Sequence, residues 1–408
     1  MTDQPLRVTC CIAGGGPAGI MLGFLLARAG VEVLVLEKHR DFLRDFRGDT
    51  IHPATLEVMH ELGLLDAFLA RPHQKVRELN AMIGDSEIKL ADFGHLPTRC
   101  RFIALMPQWD FLNFLAEAGG HLPGFHLRME AEVTDLIVEG GRVVGLRAQT
   151  QEGAIEVRAD LVVGADGRHS IVRERAGLKV INLGAPIDVL WMRLSKSAGD
   201  PPQTGGRINY GRMLVTIDRG DYWQCAFVIR KGGFDAIRGR GLDALRDDIV
   251  KIAPFLQSRM GELHNWDDVK LLTVAVDRLE RWWRPGLLCI GDCAHAMSPI
   301  GGVGINLAIQ DAVAAANILA QPLRDGALRE ANLQAVQRRR TLPTRLTQGI
   351  QVAIQQRVLD PVIGSDKPVK APWPLRLFNH LPWLARIPAR LVGMGFRPEH
   401  VRTPPAQS

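Results

Sequence analysis

At 408 residues, with 46% hydrophobic and 23% charged residues, the chain is long enough to bury a large core in two intimately joined domains. Its 50 Lys and Arg against 44 Asp and Glu give a formal net charge of +6, a mildly basic balance that suits an anionic cofactor, an acidic substrate or a membrane surface. The charges are interspersed with no Lys/Arg block, which argues against nucleic acid as a partner. The six cysteines form no C-x-x-C pair, which leaves buried reduced thiols in a cytoplasmic protein and no metal site.

The first element is a buried strand over residues 6–13, ending in the turn Gly14-Gly15-Gly16-Pro17-Ala18-Gly19. A helix follows over about 19–29, closed by Gly30, and a second strand from Val31 to Leu36 stops at Glu37. The helix is too short to span a bilayer and carries Arg28, so it belongs to a βαβ unit and not to a targeting segment. In this turn Gly14 permits the tight bend, Gly16 lets backbone approach a pyrophosphate, and Gly19 lets helix meet strand. Glu37, 23 residues after Gly14, can accept from ribose hydroxyls. Pro17 and Ala18 at the helix start and Lys38 beside Glu37 belong to the same expected site.

Residues 51–70 and 107–119 read as helices. Strands are expected at 125–138, 142–149 and 153–163, with a hairpin at Gly140-Gly141. The last of these strands runs into Gly164-Ala165-Asp166-Gly167, a second strand-end turn, followed by Arg168 and Arg173, which are placed to meet phosphates or solvent. Alternating strands at 187–194, 213–217 and 223–230 and a helix near 241–259 imply a second, mostly antiparallel sheet. A buried strand then returns at 286–290 and ends in Gly291-Asp292. Pro299-Ile300-Gly301-Gly302-Val303-Gly304-Ile305-Asn306 opens a long apolar helix over 304–319, exposing backbone N–H groups where negative charge would be held. The resulting class is α/β: a discontinuous Rossmann-like domain (1–180 and 281–370), a mostly antiparallel substrate sheet (181–280) and a C-terminal helical tail (371–408). The tail, rich in Pro, Leu, Arg and Trp, is expected to pack on the body; a lid or a peripheral membrane contact is less favoured.

With three glycine turns in this order, the chain resembles the FAD-dependent aromatic hydroxylases of the para-hydroxybenzoate hydroxylase type over about residues 6–320. The motifs that carry the likeness are Gly14-x-Gly16-x-x-Gly19 with Glu37, Ala165-Asp166-Gly167-Arg168, and Gly291-Asp292-x-Ala294-His295 with Pro299-x-Gly301-Gly302-x-Gly304-x-Asn306 and Asp311-Ala312. The resemblance implies that Asp292 binds the ribityl chain, that Gly302, Gly304, Ile305 and Asn306 lie by the isoalloxazine ring, and that Pro299 sits at its reactive face. It also implies FAD contacts for Arg47 and Gln108, an adenine contact for Val133, and an association of Asp166 and Gly167 with FAD and NAD(P)H. The implied activity is hydroxylation of an electron-rich aromatic small molecule, using NADH or NADPH and O2 through a flavin C4a-hydroperoxide. A dehydrogenase or reductase of the same superfamily and a flavin-binding accessory protein are the alternatives. There is no second G-x-G-x-x-G, so no separate nicotinamide domain is expected. The Trp-x-Trp-x-Ile-Pro stretch of flavin halogenases is missing, with Trp223-Gln224-Cys225-Ala226-Phe227 at a comparable place. The general base is open: His52, His264, His295, Tyr210 and Tyr222 qualify by residue type only, as do Arg207 and Arg212 for an anionic substrate. A monomer or homodimer is expected.

Overall fold

Strand Leu6–Ala13 is apolar along its inner half, with Cys10, Cys11, Ile12 and Ala13 fully buried, as a parallel strand covered on both faces must be. The computed structural model describes residues 6–43, 49–201, 204–359, 362–363 and 367–406. Among them this strand sits within a sheet of order Trp283–Arg284, Leu287–Cys289, Gly153–Gly164, Leu6–Ala13, Val33–Leu36, Phe125–Arg128. Leu287–Cys289 through Phe125–Arg128 run parallel. Glu132–Glu139 and Arg142–Thr150 form an antiparallel meander on Gly153–Gly164, turning at Gly140 and Gly141, whose φ values of 54° and 79° suit a two-residue hairpin.

Helices cover this sheet. Pro17–Arg28 buries ten consecutive residues from Ala18 to Ala27, and Gly304–Arg324 contributes Ile309, Ala312, Val313, Ala315 and Leu319 to the same core. The latter is long and apolar enough to cross a bilayer, but 83% of its apolar window is buried inside the protein, which makes it a core helix. All six cysteines are buried and free of disulfides, and burial pushes the Cys10, Cys11, Cys225 and Cys293 thiols up.

The second sheet has the order Lys270–Leu272, Ile187–Ser195, Tyr222–Arg230, Arg212–Asp218, Gly205–Asn209, Glu78–Ile83, Ser86–Asp92. Its last two strands come from residues 78–92, ahead of the 181–280 segment, and Glu78–Ile83 joins parallel to Gly205–Asn209. One face packs Leu190, Met192, Leu214, Trp223, Cys225 and Phe227 against Leu245 and Ile249 of helix Leu242–Ile252. The other carries Val189, Trp191, Met213, Val215, Ala226 and Val228 and meets Ile300.

The helical reading of 51–70 resolves into Pro53–Glu61 and Leu65–Leu69, separated at Gly63, whose φ of 73° ends the first helix. Helix Glu330–Ile354 lies beyond the motifs read from sequence; Pro343 in its interior and the run Arg338-Arg339-Arg340 hide its character. The tail forms Trp373–His380 and Arg386–Gly393. Its inner residues Leu375 and Phe378 pack on Ala81, Ile83 and Ile88, and Ala389 and Met394 pack on Phe93 and Leu96. Beyond them, Arg28 Nη1 donates to the Thr403 carbonyl at 2.9 Å and Ala406 N–H donates to the Arg28 carbonyl at 2.8 Å.

A small three-stranded sheet of Thr50–Ile51, Ile103–Leu105 and Gln74–Val76 is tied to the second sheet by a buried ion pair between Asp49 and Arg219, with Gln224 accepting from Arg219 Nε at 3.1 Å. Burial pushes the Asp49 carboxyl up to about 6 although Arg219, Gln224 and the Gln108 N–H pull it down. A carboxyl raised on folding favours the folded state when protonated, and that contribution fades as pH rises from its unfolded value near 4 through about 6. Removing the guanidinium strands a buried charge. Arg219→Leu is therefore expected to destabilise the fold by about 3–5 kcal/mol at about pH 8, and by less at about pH 5, where Asp49 takes a proton. Urea unfolding at both pH values measures the difference.

Candidate functional site

Register brings the three glycine turns together. Ala13 pairs with Gly164 and with Leu36, and Gly164 pairs with Cys289, so the residues that follow leave the sheet side by side at its carboxyl edge. The turns are bonded in sequence: Gly14 N–H to the Leu36 carbonyl at 2.8 Å, Ala165 N–H to Ala13 at 2.8 Å, and Ile290 N–H to Gly164 at 3.0 Å. A crevice beyond the strand ends of an open parallel sheet is where such folds bind ligands.

The first turn is shaped for a phosphate. Gly14 has a φ of 102°, and a Cβ there would lie 2.5 Å from the Ala165 carbonyl; one on Gly19 would lie 2.0 Å from the Gly14 carbonyl. A Cβ on Gly16 would meet nothing within 4 Å, so this glycine faces open space. The first intrahelical bond runs from Ile20 N–H to Gly16, leaving the N–H groups of Ala18 and Gly19 behind Pro17 available to an anion. Glu37 is buried at the next strand end, its carboxylate accepting from Gly15 N–H at 2.9 Å and His39 N–H at 3.1 Å, while Lys38 beside it is exposed. Ala131 N–H donates to the Glu37 carbonyl at 2.9 Å, which brings Val133 and its strand to this end of the site.

In the second turn Gly167 has a φ of 87°, and Asp166 organises the short helix behind it: Ser170 Oγ donates to Oδ1 at 2.5 Å and Val172 N–H to Oδ2 at 3.1 Å. The arginines that follow are engaged inside the protein. Arg168 donates to the Thr273 carbonyl at 3.2 Å, and Arg173 bonds Asp277 at 3.4 Å and the Cys293 carbonyl at 3.5 Å. Arg173 thereby joins the second turn to the third, while Arg168 ties the second turn to the segment at Thr273.

In the third turn Asp292 is half-buried and makes no hydrogen bond among the described residues, while Pro299 and Ile300 border the apolar face of the second sheet. Gly301 and Gly302 have φ values of 78° and 63°. The Gly302 carbonyl accepts from Thr50 Oγ1 at 2.8 Å and lies 3.0 Å from His52 Nε2, while His52 Nδ1 lies 2.8 Å from the Val392 carbonyl of the tail. Leu307 N–H makes the first bond of the long helix, to Val303, so the N–H groups of Gly304, Ile305 and Asn306 have no helical acceptor. Asn306 is buried and accepts from Thr55 Oγ1 at 2.9 Å. The signal for Thr50, two residues ahead of His52-Pro53, was too weak to single out from sequence.

Behind this turn Asp311 is fully buried. Its Oδ2 accepts from Gly291 N–H at 3.1 Å and lies 2.5 Å from His295 Nε2, and its Oδ1 accepts from Arg340 Nε at 2.9 Å. Arg340 continues to Glu399 Oε1 at 3.4 Å, and Arg339 chelates the same carboxylate at 2.6 and 3.0 Å. Burial opposes charge on Asp311, yet His295 and Arg340 hold its carboxyl below the usual range.

The structure separates the other expected residues. Arg47 lies outside the described residues. Gln108 begins helix Gln108–Gly120, its N–H turned to Asp49. His295 is locked to Asp311, and His52 is fully buried between two carbonyls, with burial lowering it to about 4. His264 is exposed, 3.7 Å from Asp268. Tyr210 occupies a hairpin turn at a φ of 48°, and Tyr222 lies under Arg193. None of these reaches the crevice as a free base. Arg207 and Arg212 share the helix side of the sheet with Leu214, against Phe255 and Asp248, so they face away from the crevice. Trp223 is likewise a core residue on that side, donating to Asp200 at 2.8 Å.

A family of FAD-binding domains matches residues 7–349. A 6-methylpretetramide 4-monooxygenase of Streptomyces rimosus is 34% identical over 351 residues, covering 86% of this chain and 84% of that protein. A rifampicin monooxygenase of Streptomyces venezuelae is 29% identical over 316 residues, covering 74% of this chain and 61% of the longer relative. The fold is shared with the crystal structure of PqsL, a probable FAD-dependent monooxygenase from Pseudomonas aeruginosa. That comparison has a TM-score of 0.74 and 22% identity, covering 87% of this chain and 97% of that one.

Two outcomes follow from this geometry. A Cβ on Gly302 would lie 2.4 Å from Thr50 Oγ1 at a φ that side chains avoid, so Gly302→Val is expected to weaken dinucleotide retention by at least about tenfold, read as released flavin fluorescence after gel filtration. Arg340→Leu leaves Asp311 with one fewer cation and is expected to cost about 3–5 kcal/mol in urea unfolding.

Proposed function

Because the chain belongs to the FAD-binding-domain family of aromatic-hydroxylase flavoproteins and is an FAD-dependent oxidoreductase, we propose that it is a monooxygenase hydroxylating an apolar aromatic small molecule. The reductant is NADH or NADPH and the oxidant is O2. One oxygen atom enters the substrate and the other leaves as water, with two electrons coming from the nicotinamide. Bound FAD supplies the redox chemistry; the protein supplies binding, orientation and a water-poor chamber.

The chain's residues fit that cofactor. The open space at Gly16 and the free N–H groups of Ala18 and Gly19 accommodate a pyrophosphate, Glu37 a ribose, and the unpartnered Asp292 a polyol chain. The N–H groups of Gly304, Ile305 and Asn306 and the helix behind them hold negative charge at the edge of a reduced ring. Thr50 and His52 clamp the Gly302 carbonyl and fix the loop that aims those donors.

The observation that carries the substrate class is the face above Pro299 and Ile300. Val189, Trp191, Met213, Val215, Ala226 and Val228 occupy its centre, while Arg207 and Arg212 lie on the opposite side of the sheet. Such a wall desolvates a flat apolar ring, and the Arg230 guanidinium at the end of strand Tyr222–Arg230 is engaged with the Ile363 carbonyl at 3.0 Å. The relatives named for 6-methylpretetramide and rifampicin support a bulky ring system as the substrate.

Uncharged polycyclic phenols and carboxylated phenols, supplied with NADH or NADPH and isotopically labelled O2, separate the readings. The expected result is a product of an uncharged phenol bearing one labelled oxygen, with carboxylated analogues turned over at least about tenfold more slowly. Nicotinamide oxidation that yields only hydrogen peroxide across the panel would overturn the monooxygenase reading in favour of a reductase.

A further inference from the structure

Residues 367–398 carry six cations, Lys367, Lys370, Arg376, Arg386, Arg390 and Arg397, and no Asp or Glu. Six equals the net charge of the whole protein, so the remainder of the chain is balanced. All six side chains are exposed. Between them the two tail helices turn an apolar face outward: Trp373 is 74% exposed, Trp383 and Ile387 54% each, with Leu377 and Leu381 also uncovered. The inner face is already satisfied, since Leu375 and Phe378 pack on Ala81, Ile83 and Ile88 and Asn379 donates to the Glu87 carbonyl at 2.8 Å. The tail is therefore held on the body with its second apolar face presented to the surroundings.

We infer that this face docks the enzyme on an anionic lipid bilayer. Exposed tryptophans interleaved with cations match the headgroup boundary, where indole rings sit in the interface and Lys and Arg meet lipid phosphates. A second copy of the chain is the less suitable occupant, because a two-fold contact would set this cationic patch against itself. Of the two carboxylates on the strand beneath, Glu87 lies within electrostatic reach of Arg207, and Asp92 is engaged with Gly94 N–H at 2.9 Å and lies 3.6 Å from His95. The docked edge is the one formed by hairpin strands Glu78–Ile83 and Ser86–Asp92, in the sheet whose apolar centre faces Ile300.

The test sediments the FAD-loaded full chain with vesicles of phosphatidylcholine containing about one third phosphatidylglycerol, and with phosphatidylcholine alone, at low and high salt. Binding to the anionic vesicles is expected, weakened at least about tenfold by high salt or by omitting the anionic lipid. Trp373→Ser/Trp383→Ser is expected to lower partitioning by at least about tenfold, and Lys370→Glu/Arg390→Glu by a similar factor, at roughly fivefold per cation removed. All these side chains are exposed, so unchanged flavin retention in both variants controls for folding. Equal sedimentation with both vesicle types, or none with either, overturns the inference. A dimer in light scattering that the double tryptophan variant converts to monomer, without vesicle binding, also overturns it and assigns the face to a second copy.

Discussion

A carboxylate with no access to water must be neutralised where it stands, and the placement of Asp311 makes that requirement structural. Its oxygens collect the Gly291 N–H, the His295 ring and the Arg340 guanidinium. These come from the third glycine turn and from helix Glu330–Ile354, while Asp311 itself belongs to helix Gly304–Arg324. Glu399 then closes the chain of charges from the C-terminal segment. Such a network is costly to bury and costlier to interrupt, so its value lies in holding one arrangement. Asp292, two residues before Ala294 and next to Gly291, is aimed by this arrangement without contributing to it.

Sheet register does the rest of the positioning. Parallel pairing aligns Ala13, Gly164, Cys289 and Leu36 at one edge, and each following residue bonds back to its neighbour's strand end. Gly14 is required both for its own turn, at a φ of 102°, and for Ala165, whose carbonyl occupies the space a side chain would need. The site is thus an edge property of the sheet, and the mostly antiparallel second sheet borders it through Ile300 and is tied by Arg219 to Asp49, just ahead of strand Thr50–Ile51.

What sequence made legible was whatever is local. Gly14, Gly19 and Gly302 declare their roles through backbone geometry, because no side chain satisfies the φ values or close approaches found there. The family likeness carried the fold and the cofactor, and the apolar helix over 304–319 needed only its periodicity. Hidden were features that depend on distant partners. Arg173 looks like a phosphate ligand until Asp277, 104 residues away, is seen beside it. Arg207 and Arg212 qualified for an anionic substrate by residue type alone, and strand alternation puts them with Leu214 on the helix side. The hairpin at 78–92, which turns at Gly84-Asp85, was not read from the sequence, and its parallel attachment to Gly205–Asn209 is a long-range fact. Helix Glu330–Ile354 is masked by Pro343 and by Arg340, a residue type whose burial is intelligible only with Asp311 and Glu399 in view.

The bonds between Arg28 and the segment around Thr403, 375 residues apart, bear on how the molecule comes into being. Strand Leu6–Ala13 leaves the ribosome long before Leu287–Cys289, the other parallel neighbour of Gly153–Gly164, and the clasp on Arg28 arrives later still. Non-local closure of this kind slows folding, and a half-made parallel sheet exposes unpaired edges while it waits. The nascent chain therefore spends most of its synthesis with a nucleotide cradle lacking one wall, and cofactor capture becomes a late event that coincides with completion of the sheet.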